Sequence, residues 1–149
     1  MDATSLNFEN QSFNNIICLE AFFHFHTRKK FLREAYRVLK SSGTLVLSDI
    51  LLTDWGKNHR IWWHDEENAG LQDLKEYEEL YKSVGFKEVK VIDANRECWV
   101  GYYTNAARYC FEALEQEKID LAAVQKVAVN IIRKLVSYQN YVLVGARKA

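Results

Sequence analysis

Two short apolar runs bracket one helix-periodic segment near the start of the chain, and this arrangement most constrains the fold. Asn15-Ile16-Ile17-Cys18-Leu19-Glu20 is the first run and Thr44-Leu45-Val46-Leu47-Ser48-Asp49 the second. Both are bounded by polar or glycine positions, and each ends in an acidic residue. Such runs, without strict alternation, read as strands buried on both faces. Between them Phe31, Leu32, Ala35, Val38 and Leu39 recur at helical spacing, with Thr27 as N-cap and Gly43 just past the end. Strand, helix and strand in that order make a parallel crossover.

The rest of the chain continues the alternation. Residues 51–70 are less regular and hold Trp55, His59, Trp62, Trp63 and His64. Asp73 with Glu76 forms a capping box, followed by the stripe Leu74, Tyr77, Leu80, Tyr81 and Val84, with Gly85 at the C-terminal turn. Residues 86–93 alternate well enough for a strand with one wetter face. Residues 99–116 read as a helix with Tyr102, Ala106, Tyr109, Cys110 and Ala113 on one side. A second helix starts near Asp120, with the stripe Val124, Val127, Ala128, Ile131, Ile132 and Leu135. Residues 140–148 read as a last strand. The expectation is an α/β domain over residues 1–149 with a small, mostly parallel sheet, and with residues 94–137 as a two-helix insertion.

Composition narrows the function classes. Twenty basic residues balance twenty acidic ones. A chain with no net charge lacks the footprint of a nucleic-acid binder or a polybasic membrane-surface protein. No apolar stretch is long enough to span a bilayer, and the polar start MDATSLNFEN lacks the pattern of a signal peptide. Cys18, Cys98 and Cys110 are too few and too scattered for a disulfide scaffold and read as small buried apolar groups. A reducing, cytoplasmic setting is expected. His24 and His26 resemble a ligand pair only loosely, and no metal is expected.

Asp2-Ala3, Leu6-Asn7-Phe8, Ser12-Phe13-Asn14 and Ile16-Ile17-Cys18-Leu19-Glu20 together closely resemble the middle of the class I S-adenosylmethionine-dependent methyltransferases. That family carries an acidic residue plus Ala, a Leu-Pro-Phe-like stretch, Ser-Phe-Asp and then its fourth strand. Residues 31–43, FLREAYRVLKSSG, resemble its next helix and its RVLKPGG turn into strand five. Ser41-Ser42 replaces the usual Pro-Gly, and Asn14 the usual Asp. The resemblance covers the whole chain and implies a truncated Rossmann-like methyltransferase sheet, order 4-5-7-6 in the family's numbering, with the last strand antiparallel. The family's glycine-rich cofactor loop has no counterpart, because no Gly-x-Gly occurs.

The resemblance assigns roles to particular residues. Asp2 would accept a hydrogen bond from the adenine amino group of S-adenosylmethionine, and Ala3 would offer its amide to the ring. Leu19, Glu20 and Ala21 would stand at the ligand-binding end of the strand. His24 is the leading general base, with a structural place among Phe22, Phe23 and Phe25 as the plainer reading. Trp62, Trp63 and Tyr102 would contact the methyl acceptor, a small molecule. Tyr103 and Tyr109 could line a cavity or belong to the core. Without the family's first three strands, the apolar strand 15–20 becomes an unblunted edge. Two partners are expected for it: a second copy of this chain, or a separate N-terminal half. The rival to a methyltransferase is a non-catalytic oligomerising or binding module.

Overall fold

The computed structural model describes residues 1–53, 56 and 73–149. Its order is β1 (Phe13–Cys18), a 3-10 turn (Phe22–His24), α1 (Arg28–Val38), β2 (Leu39–Leu52), α2 (Leu74–Val84), β3 (Phe86–Asp93), a π-helical turn (Asn95–Val100), α3 (Gly101–Glu115), α4 (Leu121–Ser137) and β4 (Tyr138–Lys148). The strands form one sheet in the order β1-β2-β4-β3. β1 runs parallel to β2, and β4 is antiparallel to both its neighbours. This is the 4-5-7-6 arrangement expected from the resemblance.

Local chemistry sets the helix ends. The Thr27 hydroxyl accepts the Lys30 amide and starts α1, and the Asp73 carboxylate accepts the Glu76 amide and starts α2. Gly85 ends α2 in the left-handed region at φ 115°, where its missing Cβ also spares the Tyr36 ring. At the end of α1 the structure departs from the sequence reading. The helix stops at Val38, and Gly43 already lies inside β2. Ser42 takes the positive φ, 61°. Gly43 serves close approach instead, since a Cβ there would stand 3.0 Å from the Asn14 carbonyl oxygen of β1.

One face of the sheet is covered along its length; on the other, Ser48, Ile50 and Leu52 of β2 are buried, and Ile17 and Val46 are not. Leu45, Leu47, Val142, Val144 and Phe86 pack with Leu32, Ala35, Tyr77 and Tyr81 of α1 and α2 into one core. Asp49, fully buried on β2, accepts hydrogen bonds from Arg28 Nε at 2.7 Å and from the Tyr77 hydroxyl at 2.7 Å, and Tyr81 donates to Tyr77 at 3.1 Å. This buried ion pair ties α1 and α2 to the central strand. On the opposite face Ile17 is 71% exposed and its register partner Val46 is 44% exposed. The expectation that both runs are buried on two faces is therefore wrong. β1 is an edge strand, and no described helix covers its outer face.

Two further expectations change. The face of the 99–116 segment that turns inward carries Trp99, Tyr103, Cys110 and Ala113, while Tyr102 and Tyr109 are exposed. The segment also begins earlier than Trp99, as a π-helical turn from Asn95. In α4 no residue is buried. Ile132 and Leu135 of its apolar stripe stand in solvent, because the helix only leans on α3 and β4. No described helix is long and apolar enough to cross a membrane.

Candidate functional site

The C-terminal ends of β1 and β2 meet the start of β4 under the π-helical turn, and a cavity of about 370 Å³ opens there. Glu20 forms its acidic corner. It follows β1 in the left-handed region at φ 52°, a strained backbone for a side chain of this size. Neighbouring strands hold it there. The Glu20 amide donates to Ser48 Oγ at 2.9 Å, and Ser48 Oγ donates to Glu20 Oε1 at 3.2 Å. The Tyr141 hydroxyl donates to the same Oε1. Burial and the adjoining Glu20 carboxylate push the Tyr141 phenol up to about 12, so it remains a proton donor at neutral pH.

Asn95 locks the opposite wall in place. Its amide oxygen accepts the Tyr141 backbone N–H at 2.6 Å, and its side-chain nitrogen donates to the Gln139 carbonyl at 3.2 Å. This fixes the π-helical turn on β4 and sets Trp99 over the cavity. The indole stacks on Tyr103 at 5.3 Å and on Tyr138 at 4.8 Å, and meets Tyr141 edge-on at 5.6 Å. Tyr102 stands edge-on to Tyr103. Trp99 Nε1 and the Tyr103 hydroxyl are buried in this stack without hydrogen-bond partners among the described residues. Each orphaned group costs roughly 1–3 kcal/mol, so the wall is kept at some expense in stability.

Lys134 of α4 brings a cation to the lining, and Cys98 a thiol. Burial, and then the charges of Glu20 and Glu97, push that thiol up, so it is no activated nucleophile. Among the described residues no group of three or more His, Cys, Asp or Glu side chains could hold a metal ion.

Of the residues singled out in the sequence, Glu20, Tyr102 and Tyr103 line this cavity. Leu19 is 63% exposed beside Glu20, and Ala21 is half-buried at the start of the 3-10 turn. His24 ends that turn exposed, its ring 4.3 Å from that of Phe23, and it does not line the cavity. Asp2 is exposed, and its Oδ1 accepts both the amide and the hydroxyl of Thr4 at 2.8 Å, while Ala3 packs against the core. Tyr109 is exposed away from the cavity. Trp62 and Trp63 lie outside the described residues, as do Trp55, His59 and His64. Sequence reasoning missed Trp99, Tyr138, Tyr141, Ser48 and Asn95. The i, i+4 spacing of Trp99 and Tyr103 was the available signal.

For S-adenosylmethionine the residues present make one wall only. Asp2, Leu19 and Glu20 are exposed, and the Asp2 oxygen that accepts from Thr4 is already engaged. Nothing in the sequence replaces the glycine loop.

Comparison with known proteins bears on this partial site. Residues 1–47 match the family described as "Methyltransferase domain". The curated (+)-O-methylkolavelool synthase of Herpetosiphon aurantiacus is 27% identical over 158 residues, which cover 99% of this chain and 54% of that protein. The chain thus spans about half the length of the curated relative it matches. Among solved structures, the Haemonchus contortus phosphoethanolamine N-methyltransferase 2 in complex with S-adenosyl-L-methionine aligns over 99% of this chain and 36% of its own, with a TM-score of 0.67 and 20% identity. A Galdieria sulphuraria protein assigned as a sarcosine dimethylglycine methyltransferase aligns over 100% and 58%, with a TM-score of 0.73 and 19% identity. The [4+2]-cyclase SpnF aligns over 99% and 54%, with a TM-score of 0.63 and 16% identity. A cyclase among these neighbours shows that the fold does not fix the reaction. The chain has the fold of the methyltransferases among these structures, and its residues 1–47 match the methyltransferase-domain family in sequence.

Proposed function

We propose that this chain is the acceptor-side half of an S-adenosylmethionine-dependent methyltransferase for a small molecule, and that it is inactive by itself. The observation that carries this reading is the walled cavity beyond β1 and β2, standing next to a cofactor wall that is only half built. An open α/β sheet binds its ligands at these strand ends. Methyl transfer from a sulfonium asks mainly for alignment and exclusion of water, which an aromatic-lined cleft supplies. Asp2, Ala3, Leu19 and Ala21 belong to the cofactor side in this reading. Glu20 lies where the two sides meet, and Tyr102 belongs to the acceptor side with Trp62 and Trp63. His24, exposed beside Phe23, is the general base in this reading. Residues 94–137 act as the cap.

The uncovered face of β1 and β2 supports association with a second copy, and a separate N-terminal half is the rival occupant. The setting proposed is the cytoplasm. A radiolabelled methyl-transfer assay tests the function. The isolated chain should give no product. The same chain fused behind a strand–Gly-x-Gly–helix half, taken from a methyltransferase of this fold, should methylate a small acceptor. A folded fusion that binds S-adenosylmethionine but methylates no acceptor in a broad amine, hydroxyl and carbon screen would favour the non-catalytic module.

A further inference from the structure

We propose that α4 is a lipid-docking helix, which lays its outer apolar face on an anionic membrane surface. This goes beyond the methyltransferase reading and does not depend on it. Helical spacing divides α4 into three faces. Ala123, Val124, Val127 and Ile131 are half-buried, on the side that meets α3 and β4. Leu121, Val129, Ile132, Leu135 and Val136 make a second apolar arc, and each is 46–60% exposed. Lys126 and Arg133 flank that arc along one side, and neither makes an ion pair among the described residues. A helix on the surface of a globular protein needs one apolar face only. Packing on α3 and β4 uses the first and leaves the second without a role in the described fold.

Charge selects the occupant. None of the twenty acidic residues lies in α4, whose cations are Lys126, Arg133 and Lys134. The neutral total of the chain hides this local excess. Lys134 lines the cavity, which leaves Lys126 and Arg133 to meet acidic headgroups while the arc enters the acyl boundary. Long cationic side chains beside an apolar arc, with no acid among them, are the pattern of a helix that lies in the plane of the interface. A second copy fits the same arc badly. Antiparallel self-pairing over the whole arc, Leu121 to Val136, brings Arg133 beside the other copy's Lys126. Parallel pairing in register brings each cation beside its own counterpart. Like charges so placed oppose pairing.

The test needs no methyl donor. The 149-residue chain is floated with vesicles of phosphatidylglycerol and phosphatidylcholine in equal parts, and with vesicles of phosphatidylcholine alone. Each cation near an anionic surface strengthens binding about fivefold, so two of them should favour the anionic vesicles by roughly twentyfold. High salt should remove that preference. Ile132→Asp and Leu135→Asp, both at exposed positions, should each abolish binding with the amide spectrum and the sedimentation coefficient unchanged, which separates loss of docking from loss of the fold. Lys126→Gln with Arg133→Gln should bring the anionic vesicles down to the neutral level. Ile17→Ser, on β1, should leave the preference for anionic vesicles intact. A folded chain that binds neither vesicle, or binds both equally, would overturn the proposal. So would binding that survives Ile132→Asp and vanishes with Ile17→Ser. Loss of a dimer on Ile132→Asp would assign the arc to a second copy and overturn it as well. A fusion that methylates an acceptor while the chain ignores vesicles would sink this inference and leave the methyltransferase reading standing.

Discussion

At the residue scale, Asp49 shows what the chain spends to hold its helices on the sheet. Its carboxylate and the Arg28 guanidinium are buried together at 0% and 6% exposure, with the Tyr77 hydroxyl as third member. Removing one partner of such a pair leaves an uncompensated charge in the core. Asp49→Ala should therefore cost about 3–5 kcal/mol in urea unfolding. Replacing both charges, as in Arg28→Met with Asp49→Leu, should recover most of that loss. A single substitution that costs no more than a surface change would show that the pair is not buried in solution. The sequence showed Asp49 only as the acid ending an apolar run. Its partners lie 21 and 28 residues away, and no local pattern reports a contact at that separation.

At the element scale, the N-terminal segment is latched to α1 by two side chains. Glu34 Oε2 accepts the Leu6 amide at 2.8 Å, and Arg37 donates to the carbonyls of Leu6 and Phe8 and to the Asn10 side chain. Hydrogen bonds from Arg37 hold the Glu34 carboxyl below its ordinary value. A carboxyl depressed in the folded state stabilises it above the unfolded value, and that stability is lost as pH falls through the folded value. The latch should hold at neutral pH and open progressively below the usual glutamate range. Amide exchange at Leu6 should then rise on acidification before the core amides respond, and Glu34→Gln should remove that pH dependence. Exchange at Leu6 that tracks the core at every pH would refute the latch. Elements were legible where local chemistry decides them, as at the Thr27 and Asp73 caps, Gly85 and strand 86–93. The inward face of α3 was not. Two neighbouring tyrosines, 102 and 103, offered two stripes, and only stacking on Trp99, itself packed against Tyr138 and Tyr141, selects the second.

At the scale of the whole molecule, the sheet order followed from family resemblance, while the aromatic cleft came from the meeting of segments more than 100 residues apart. Glu20 and Tyr141 are separated by 121 positions. The same arrangement leaves β1 as an open edge, with Ile17, Leu19 and Val46 in solvent. Edges and faces of this kind drive association. Sedimentation at micromolar concentration should show a dimer, and Ile17→Lys should shift it to monomer without loss of helical signal. A stable wild-type monomer would contradict this. We propose that the chain keeps the acceptor side of the methyltransferase fold without a complete cofactor site. Calorimetric titration of the 149-residue chain with S-adenosylmethionine tests it most directly. The account predicts no detectable heat up to millimolar ligand at two temperatures, and micromolar binding would contradict it by showing that this chain, alone or as a dimer, builds the missing wall.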